Sequence, residues 1–242
     1  MRLVMEGKHV LIVVIFASII LIAALSVYFF LRPARSQTPV WINATRLRLP
    51  EPRYESEVSV EEALLKRRSV REYARGSLTL QEVSQLLWAA QGVTDPQGLR
   101  TAPSAGALYP LEVYLVVGSV EGLAPGVYKY VPDGHEIIMV LDGDKRARLT
   151  DAALGQAWVG KAAVDIVITA VYERTTGKYG ERGIRYVHLE AGHAAQNICL
   201  QATAMDLGVV TVGAFYDEQV KTVLSLPDEE QPLYIITIGR KP

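Results

Sequence analysis

"VYKYVPDGHEIIMV", Val127 to Val140, is the stretch on which the fold turns. Valine, tyrosine, isoleucine and methionine fill its two halves, and Pro-Asp-Gly-His interrupts them with residues that suit a reversal. The pattern predicts two strands, Val127 to Val131 and Glu136 to Val140, closed as a hairpin. Further strands are expected on both sides: "LEVYLVV" from Leu111 to Val117, "DIVITAVY" from Asp165 to Tyr172 and "LYIITIG" from Leu233 to Gly239. The second of these is apolar on both alternating faces, as an inner strand would be.

Helices are expected between and around these strands. "SVEE" at Ser59 to Glu62 and "TLQE" at Thr79 to Glu82 have the spacing of capping boxes, in which a hydroxyl and a carboxylate satisfy each other's exposed amides. The second opens a helix with Val83, Leu86, Leu87 and Ala90 on one face, and Gly92 ends it. A long helix is read from about Tyr186 to Leu207, with small residues Ala191, Gly192, Ala194 and Ala195 that allow close packing, and a short one from Asp217 to Leu224. Because these helices do not alternate regularly with the strands, the expected class is α+β, not a doubly wound sheet.

Half of the 242 residues are apolar, enough for one sizeable core but hardly for two domains. Lys and Arg number 25 against 26 Asp and Glu, for a formal charge of -1, so no global field draws the chain to nucleic acid. Cys199 is the single cysteine, which rules out an internal disulfide and a cysteine metal cluster. The N-terminus departs from this ordinary composition. "VLIVVIFASIILIAALSVYFFL", Val10 to Leu31, is uncharged and would reach about 33 Å as a helix, enough to span a bilayer. It is longer than the core of a cleaved signal and exits through Phe29, Phe30 and Arg32. The expected organisation is a transmembrane anchor at 1–31, in contact with lipid through residues 10–31, a proline-rich tether at 32–58 and a folded domain at 59–242. Arg2 and Lys8 before the span and Arg32, Arg35 and Arg46 after it leave its orientation open.

Several chemistries are excluded by the residues alone. There is no G-x-G-x-x-G, no P-loop and no H-E-x-x-H. "HLE" at His188 to Glu190 resembles half of a zinc-deaminase signature, but the paired cysteines are missing, and His188 and His193, five apart, turn to different sides of a helix. No metal is expected. The histidines read as structural or hydrogen-bonding groups, and Cys199 as a packed thiol with nothing cationic encoded beside it.

What remains is "RRSVREY", Arg67 to Tyr73, with three arginines and a serine in seven residues. Alone, it reads first as a solvated helix end with cations at its C-terminus, with an anion site of guanidinium groups and a hydroxyl as the alternative. Two later stretches favour the second: "APSAGALYP", Ala102 to Pro110, and "GVVTVGAF", Gly208 to Phe215, are glycine-containing loops in which backbone can approach a flat ligand, and "IGRKP" brings Arg240 and Lys241 out of a strand. Together they suit flavin mononucleotide.

"RRSVREY", "PSAGALYP", "KYGERGIRYVHLEAGHAAQNICLQATAMDLG" and "VGAF", in this order, resemble the FMN-dependent nitroreductase superfamily, and within it the SagB-type dehydrogenases that include azoline oxidases of peptide maturation. The resemblance covers Ser59 to Pro242. It implies a mixed, mainly antiparallel sheet flanked by helices, and a homodimer with FMN at the subunit interface. It places Arg67, Arg68 and Ser69 at the phosphate and ribityl end, Arg71 at the pyrimidine edge, Arg240 over the phosphate, Pro103 and Ser104 along the ring, and Val212, Gly213 and Ala214 near flavin N5. Lys178 and Tyr179 match the branch's Lys-Tyr pair, and one of them is expected to act as general acid or base. Ala107 departs from the asparagine that many nitroreductases carry there. The function so implied is a membrane-anchored FMN-dependent oxidoreductase, passing hydride between flavin and a small-molecule or peptide substrate. A flavin-binding module without turnover (sensor, carrier or assembly subunit) and a tethered anion-binding scaffold without flavin are the competing readings.

Overall fold

The computed structural model describes residues 40–41 and 45–242. The expected anchor at 1–31 and part of the tether, residues 32–39 and 42–44, lie outside the described residues. Among the described residues, no helix is long and apolar enough to cross a membrane.

The hairpin forms where the sequence places it. Strands β4 (Gly126–Val131) and β5 (Glu136–Asp142) pair antiparallel with Tyr130 opposite Ile137, joined by one 3-10 turn at Pro132–Gly134. His135 closes the turn at a φ of 47°. Its ring meets the Tyr130 hydroxyl through Nδ1 at 2.8 Å and Ser84 Oγ through Nε2 at 2.7 Å, and burial lowers its pKa. This histidine is structural.

Around the hairpin the remaining strands build one sheet: β1 (Val40–Trp41), β2 (Arg46–Arg48), β3 (Leu111–Val117), β6 (Val164–Val171), β7 (Leu207–Val212) and β8 (Glu230–Arg240). Their spatial order is β1-β2-β5-β4-β3-β6-β8-β7, and each neighbouring pair is antiparallel. Parallel pairing is confined to single bridges such as Ser69 to Val209, so the described sheet is mainly antiparallel, as expected. Leu47 and Leu49 are buried beside β5, so the core takes in residues upstream of Ser59.

Helices cover both faces. On one face lie α2 (Leu80–Gln91) and α6 (Arg182–Ala204), whose Leu86, Leu87, Val187 and Ala194 meet Val113, Leu115 and Ile166. On the other face lie α3 (Arg146–Ala152), α4 (Ala157–Lys161) and α7 (Asp217–Leu224), where Leu149, Val159 and Leu224 meet Tyr114, Val116 and Val167. Alternate residues of β3 and β6 therefore enter different cores, which explains why these strands read as continuous apolar runs. Helix α6 differs from expectation at both ends: it begins four residues earlier, and Leu207 already belongs to β7. Helix α1 (Val60–Lys66) completes only half of its capping box, because Ser59 Oγ accepts from the Glu62 amide while the Glu62 carboxylate pairs with Lys66 instead. At Thr79 the box is complete.

The arginine segment lies across the open edge of this sheet. The Val70 amide donates to Val209 O at 2.9 Å and the Ala74 amide to Arg240 O at 3.0 Å, so "RRSVREY" covers the end of the β7–β8 pair. Tyr73 fixes the register. Gly208 and Gly239 face each other across the two strands, and the Tyr73 ring lies on the bare patch they leave. Its hydroxyl meets Thr237 Oγ1 at 2.5 Å. A methyl at Gly239 would stand 2.8 Å from the Tyr73 ring. Gly239→Ala should therefore lower stability by about 1–3 kcal/mol in a urea melt, the usual cost of overpacking. Gly177→Ala, with nothing within 4 Å of the added methyl, should be neutral or stabilising by up to about 1 kcal/mol. Equal effects of the two would show that Tyr73 packing is not specific.

Candidate functional site

The segment so docked sends Arg67 and Ser69 into a groove of about 310 Å³, lined also by Gly192, Ala195, Cys199 and Tyr234. Neither side chain has a hydrogen bond or ion pair among the described residues. A free guanidinium and hydroxyl fit a phosphate, and Gly192 and Ala195 keep the groove open to a flat group. Cys199 sits at its base with a thiol pushed up to about 11 by burial, although the Arg67 charge opposes that shift. A cation is thus beside the thiol after all; it comes from a distant stretch of chain. A second hollow of about 280 Å³ adjoins through Gly192 and Tyr234 and is bordered by His188, Gly213 and Phe215. His188 accepts or donates a 2.6 Å hydrogen bond with the Tyr172 hydroxyl.

The other arginines go elsewhere. Arg68 folds back on the carbonyls of Leu65 (3.0 Å) and Arg67 (2.7 Å), which is the solvated helix-end role. Arg71 lies over the Trp158 ring at 5.5 Å, on α4. Arg240 makes a bidentate pair with the Glu82 carboxylate at 2.6 and 2.8 Å and also donates to Ser77 O, so its guanidinium is held by the capping-box residue of α2 and not offered to the groove. Lys241 pairs with Asp206. Of the four arginines implied for the flavin, the structure leaves Arg67 alone facing the groove.

Pro103 and Ser104 occupy a separate place. The loop from Ser104 to Tyr109 carries three positive φ angles, at Gly106 (65°), Ala107 (53°) and Tyr109 (45°). Two of the three are not glycine, a strained backbone that must be held from outside. An asparagine would suit the Ala107 conformation better than alanine does. Ser104 Oγ accepts from the Tyr109 amide at 2.9 Å, the Tyr109 hydroxyl accepts from the Arg100 amide at 3.2 Å, and the Arg100 guanidinium lies 4.4 Å from the Tyr109 ring centre. Lys178 and Tyr179, at the end of α5 (Glu173–Tyr179), converge on the same loop: a methyl at Gly106 would lie 2.8 Å from Tyr179 Oη and 3.0 Å from Lys178 Nζ. The sequence pair therefore meets the "PSAG" loop in space, across more than seventy residues of chain. Val212 is buried under α7, while Gly213 and Ala214 are exposed, with Ala214 O accepting from Gln156.

Helix α6 separates the two places. Asn197 donates to Thr101 O at 3.2 Å, and Glu190, seven residues earlier on the same side, lies beside Ser104. Gly192, Ala195, Gln196 and Cys199 line the arginine groove. At 100° per residue these two sets fall on opposite edges of the helix. Within the chain, the arginine groove and the serine loop are held apart.

Glu190 is a residue the sequence analysis passed over. Its signal was a carboxylate in the apolar stripe of α6, next to Val187, Ala191 and Ala194. It is 2% exposed, and Oε1 has no partner, as is true of Gln91 Nε2 and Arg100 Nε nearby. Burial pushes the carboxyl up to about 7, against the pull of Ser104, Arg100 and Gln91.

The chain belongs to the Nitroreductase family, whose profile matches residues 64–240. It is 51% identical over 185 residues, covering 76% of this chain and 92% of the other, to a protein of Methanocaldococcus jannaschii that carries the nitroreductase name. A nitroreductase structure from Ralstonia eutropha superposes with a TM-score of 0.73 at 30% identity, covering 87% of this chain and 98% of that one. The Escherichia coli microcin synthetase McbBCD complex with truncated pro-MccB17 bound gives 0.64 at 25% identity, over 80% of this chain and 77% of that one. The microcin B17-processing protein McbC is longer, and the match spans 58% of it. These likenesses bear out the resemblance to the superfamily and its SagB-type branch.

Glu190 yields a pH prediction. Folded, it keeps its proton to about pH 7; unfolded, it loses it near the ordinary 4.5, so between these values the native state binds more protons and stability falls as pH rises. The loss amounts to about 3 kcal/mol at 1.36 kcal/mol per pH unit. Glu190→Gln should remove this slope, and urea midpoints at pH 5 and pH 8 compared between the two proteins would show it. Parallel curves would mean that Glu190 is charged in the fold.

Proposed function

We propose that this chain is an FMN-dependent oxidoreductase of the SagB type that works as a homodimer and is held at a membrane by residues 10–31. The observation that carries the reading is the groove in which Arg67 and Ser69 stand without partners beside Gly192 and Ala195. Arg67 and Ser69 would hold the phosphate of FMN there. Bound flavin would supply the hydride chemistry of the reaction.

The placement of the serine loop supports the dimer. Leu189 on α6 is 54% exposed, on the helix side that also carries the exposed Gly192 and Gln196. A second copy packed on that face would cover them and bring the Ser104 loop of one subunit toward the Arg67 groove of the other. Lys178 and Tyr179 would then stand at the substrate side of a shared site, where one donates or removes a proton. The apolar run Val10 to Leu31 supports the anchor, and a membrane-held site suits a lipid-soluble acceptor such as a quinone. The peptide in the microcin synthetase structure supports peptides as the second substrate class.

Purified protein should be yellow, and Arg67→Ala should lose most of its FMN while Arg68→Ala keeps it. Lys178→Ala should retain FMN yet slow reduction of a soluble quinone by NADPH by about a hundred-fold, the scale of one acid-base group. Full flavin loading with no turnover in the native protein would instead favour the inactive flavin-binding module, and a colourless protein that takes up no FMN would leave only the scaffold.

A further inference from the structure

The loop from Ser104 to Tyr109 is strained, and α5 has only seven residues, too few to hold its own shape in water. Yet the two meet with Lys178 Nζ and Tyr179 Oη against Gly106. Something outside both must set their spacing.

Arg174 touches both sides of that contact. It belongs to the first turn and a half of α5, and Lys178 follows it by four residues on the same helix face. Its Nη1 donates to Tyr109 O at 3.1 Å, at the last positive-φ residue of the loop, and its Nη2 to Glu112 Oε1 at 2.5 Å, two residues into β3. Glu112 is itself held, since Lys129 of β4 lies 3.2 Å from its other oxygen. Lys129 in turn pairs with the buried Glu230 of β8 at 2.8 Å, and Glu230 accepts from Thr169 of β6 at 2.9 Å. The chain of charges thus runs from the centre of the sheet to a planar guanidinium that grips a backbone carbonyl and a carboxylate at once, which a lysine, a point charge, could not do with the same geometry.

We infer that Arg174 is the positioning residue of this site: tied to the sheet through Glu112, it fixes α5 against the strained loop and so holds Lys178 and Tyr179 at Gly106. It touches no reacting atom. The inference rests on the proposed role of that pair, but the position it describes can be measured without flavin or substrate.

The test uses the full chain with 3-fluorotyrosine placed at Tyr179 and, in a second preparation, at the fully buried Tyr130, each followed by fluorine NMR. Arg174→Gln should shift the Tyr179 signal by more than its linewidth or split it, and leave Tyr130 unmoved. Glu112→Gln should move Tyr179 in the same direction, because it removes the anchor of the same guanidinium, and Arg174→Lys should give a smaller displacement. If the Tyr179 signal stays in place in Arg174→Gln, or if both signals move together as in a general loosening of the fold, the inference is overturned. Loss of catalytic effect in Lys178→Ala would sink the proton role of the pair and leave this result standing.

Discussion

A tyrosine ring lying on two glycines holds the candidate site in place. Gly208 and Gly239 are cross-strand partners in the β7–β8 pair, and the absence of side chains at both makes the slot that Tyr73 fills. Its hydroxyl, bonded to Thr237, prevents the ring from sliding along the strands. With Tyr73 fixed, Val70 and Ala74 must hydrogen-bond at the sheet edge, and Arg67 and Ser69 must project over α6. The charge cluster is therefore positioned by packing and backbone pairing, and its electrostatics are free for a ligand.

The same economy is visible in how the arginines are divided. The sequence order alone places Arg240 with Arg67, but the Glu82 carboxylate offers it two oxygens at the N-terminus of α2, together with the carbonyl of Ser77. A bidentate, half-buried pair outweighs a solvated position near another cation. Glu82 closes the capping box, and Arg240 closes the C-terminal end of the sheet onto it. This contact ties the last strand to α2, the helix on which His135 of the central hairpin also rests through Ser84.

The serine loop is built on the opposite principle. Its backbone is held in left-handed conformations at Ala107 and Tyr109 by Arg100, by Arg174 and by the Ser104 hydroxyl, beside a carboxyl that burial keeps protonated to near neutral pH. Strain of this kind persists only where neighbours over-determine it. The consequence is a rigid loop on one edge of α6 and an open groove on the other, a division that the described chain does not bridge.

The sequence by itself determined the α+β class, the hairpin at Pro132–Gly134, five of the eight described strands and the cap at Thr79, because periodicity and turn chemistry are local properties, whereas β1, β2 and β7, read as tether and loop, form only by pairing with distant strands. It also pointed to Arg67, Ser69, Lys178 and Tyr179, through motifs whose order along the chain is itself information. Tertiary structure alone decided which arginines are free. Arg67, Arg68, Arg71 and Arg240 carry the same group, and only the carbonyls at the end of α1, the Trp158 ring and Glu82 assign partners to the last three. Arg174 was invisible for the same reason, and Glu190 showed only as a carboxylate in an apolar stripe: the reach of one and the pKa of the other depend on groups about sixty and about ninety residues away, and no window along the chain contains them.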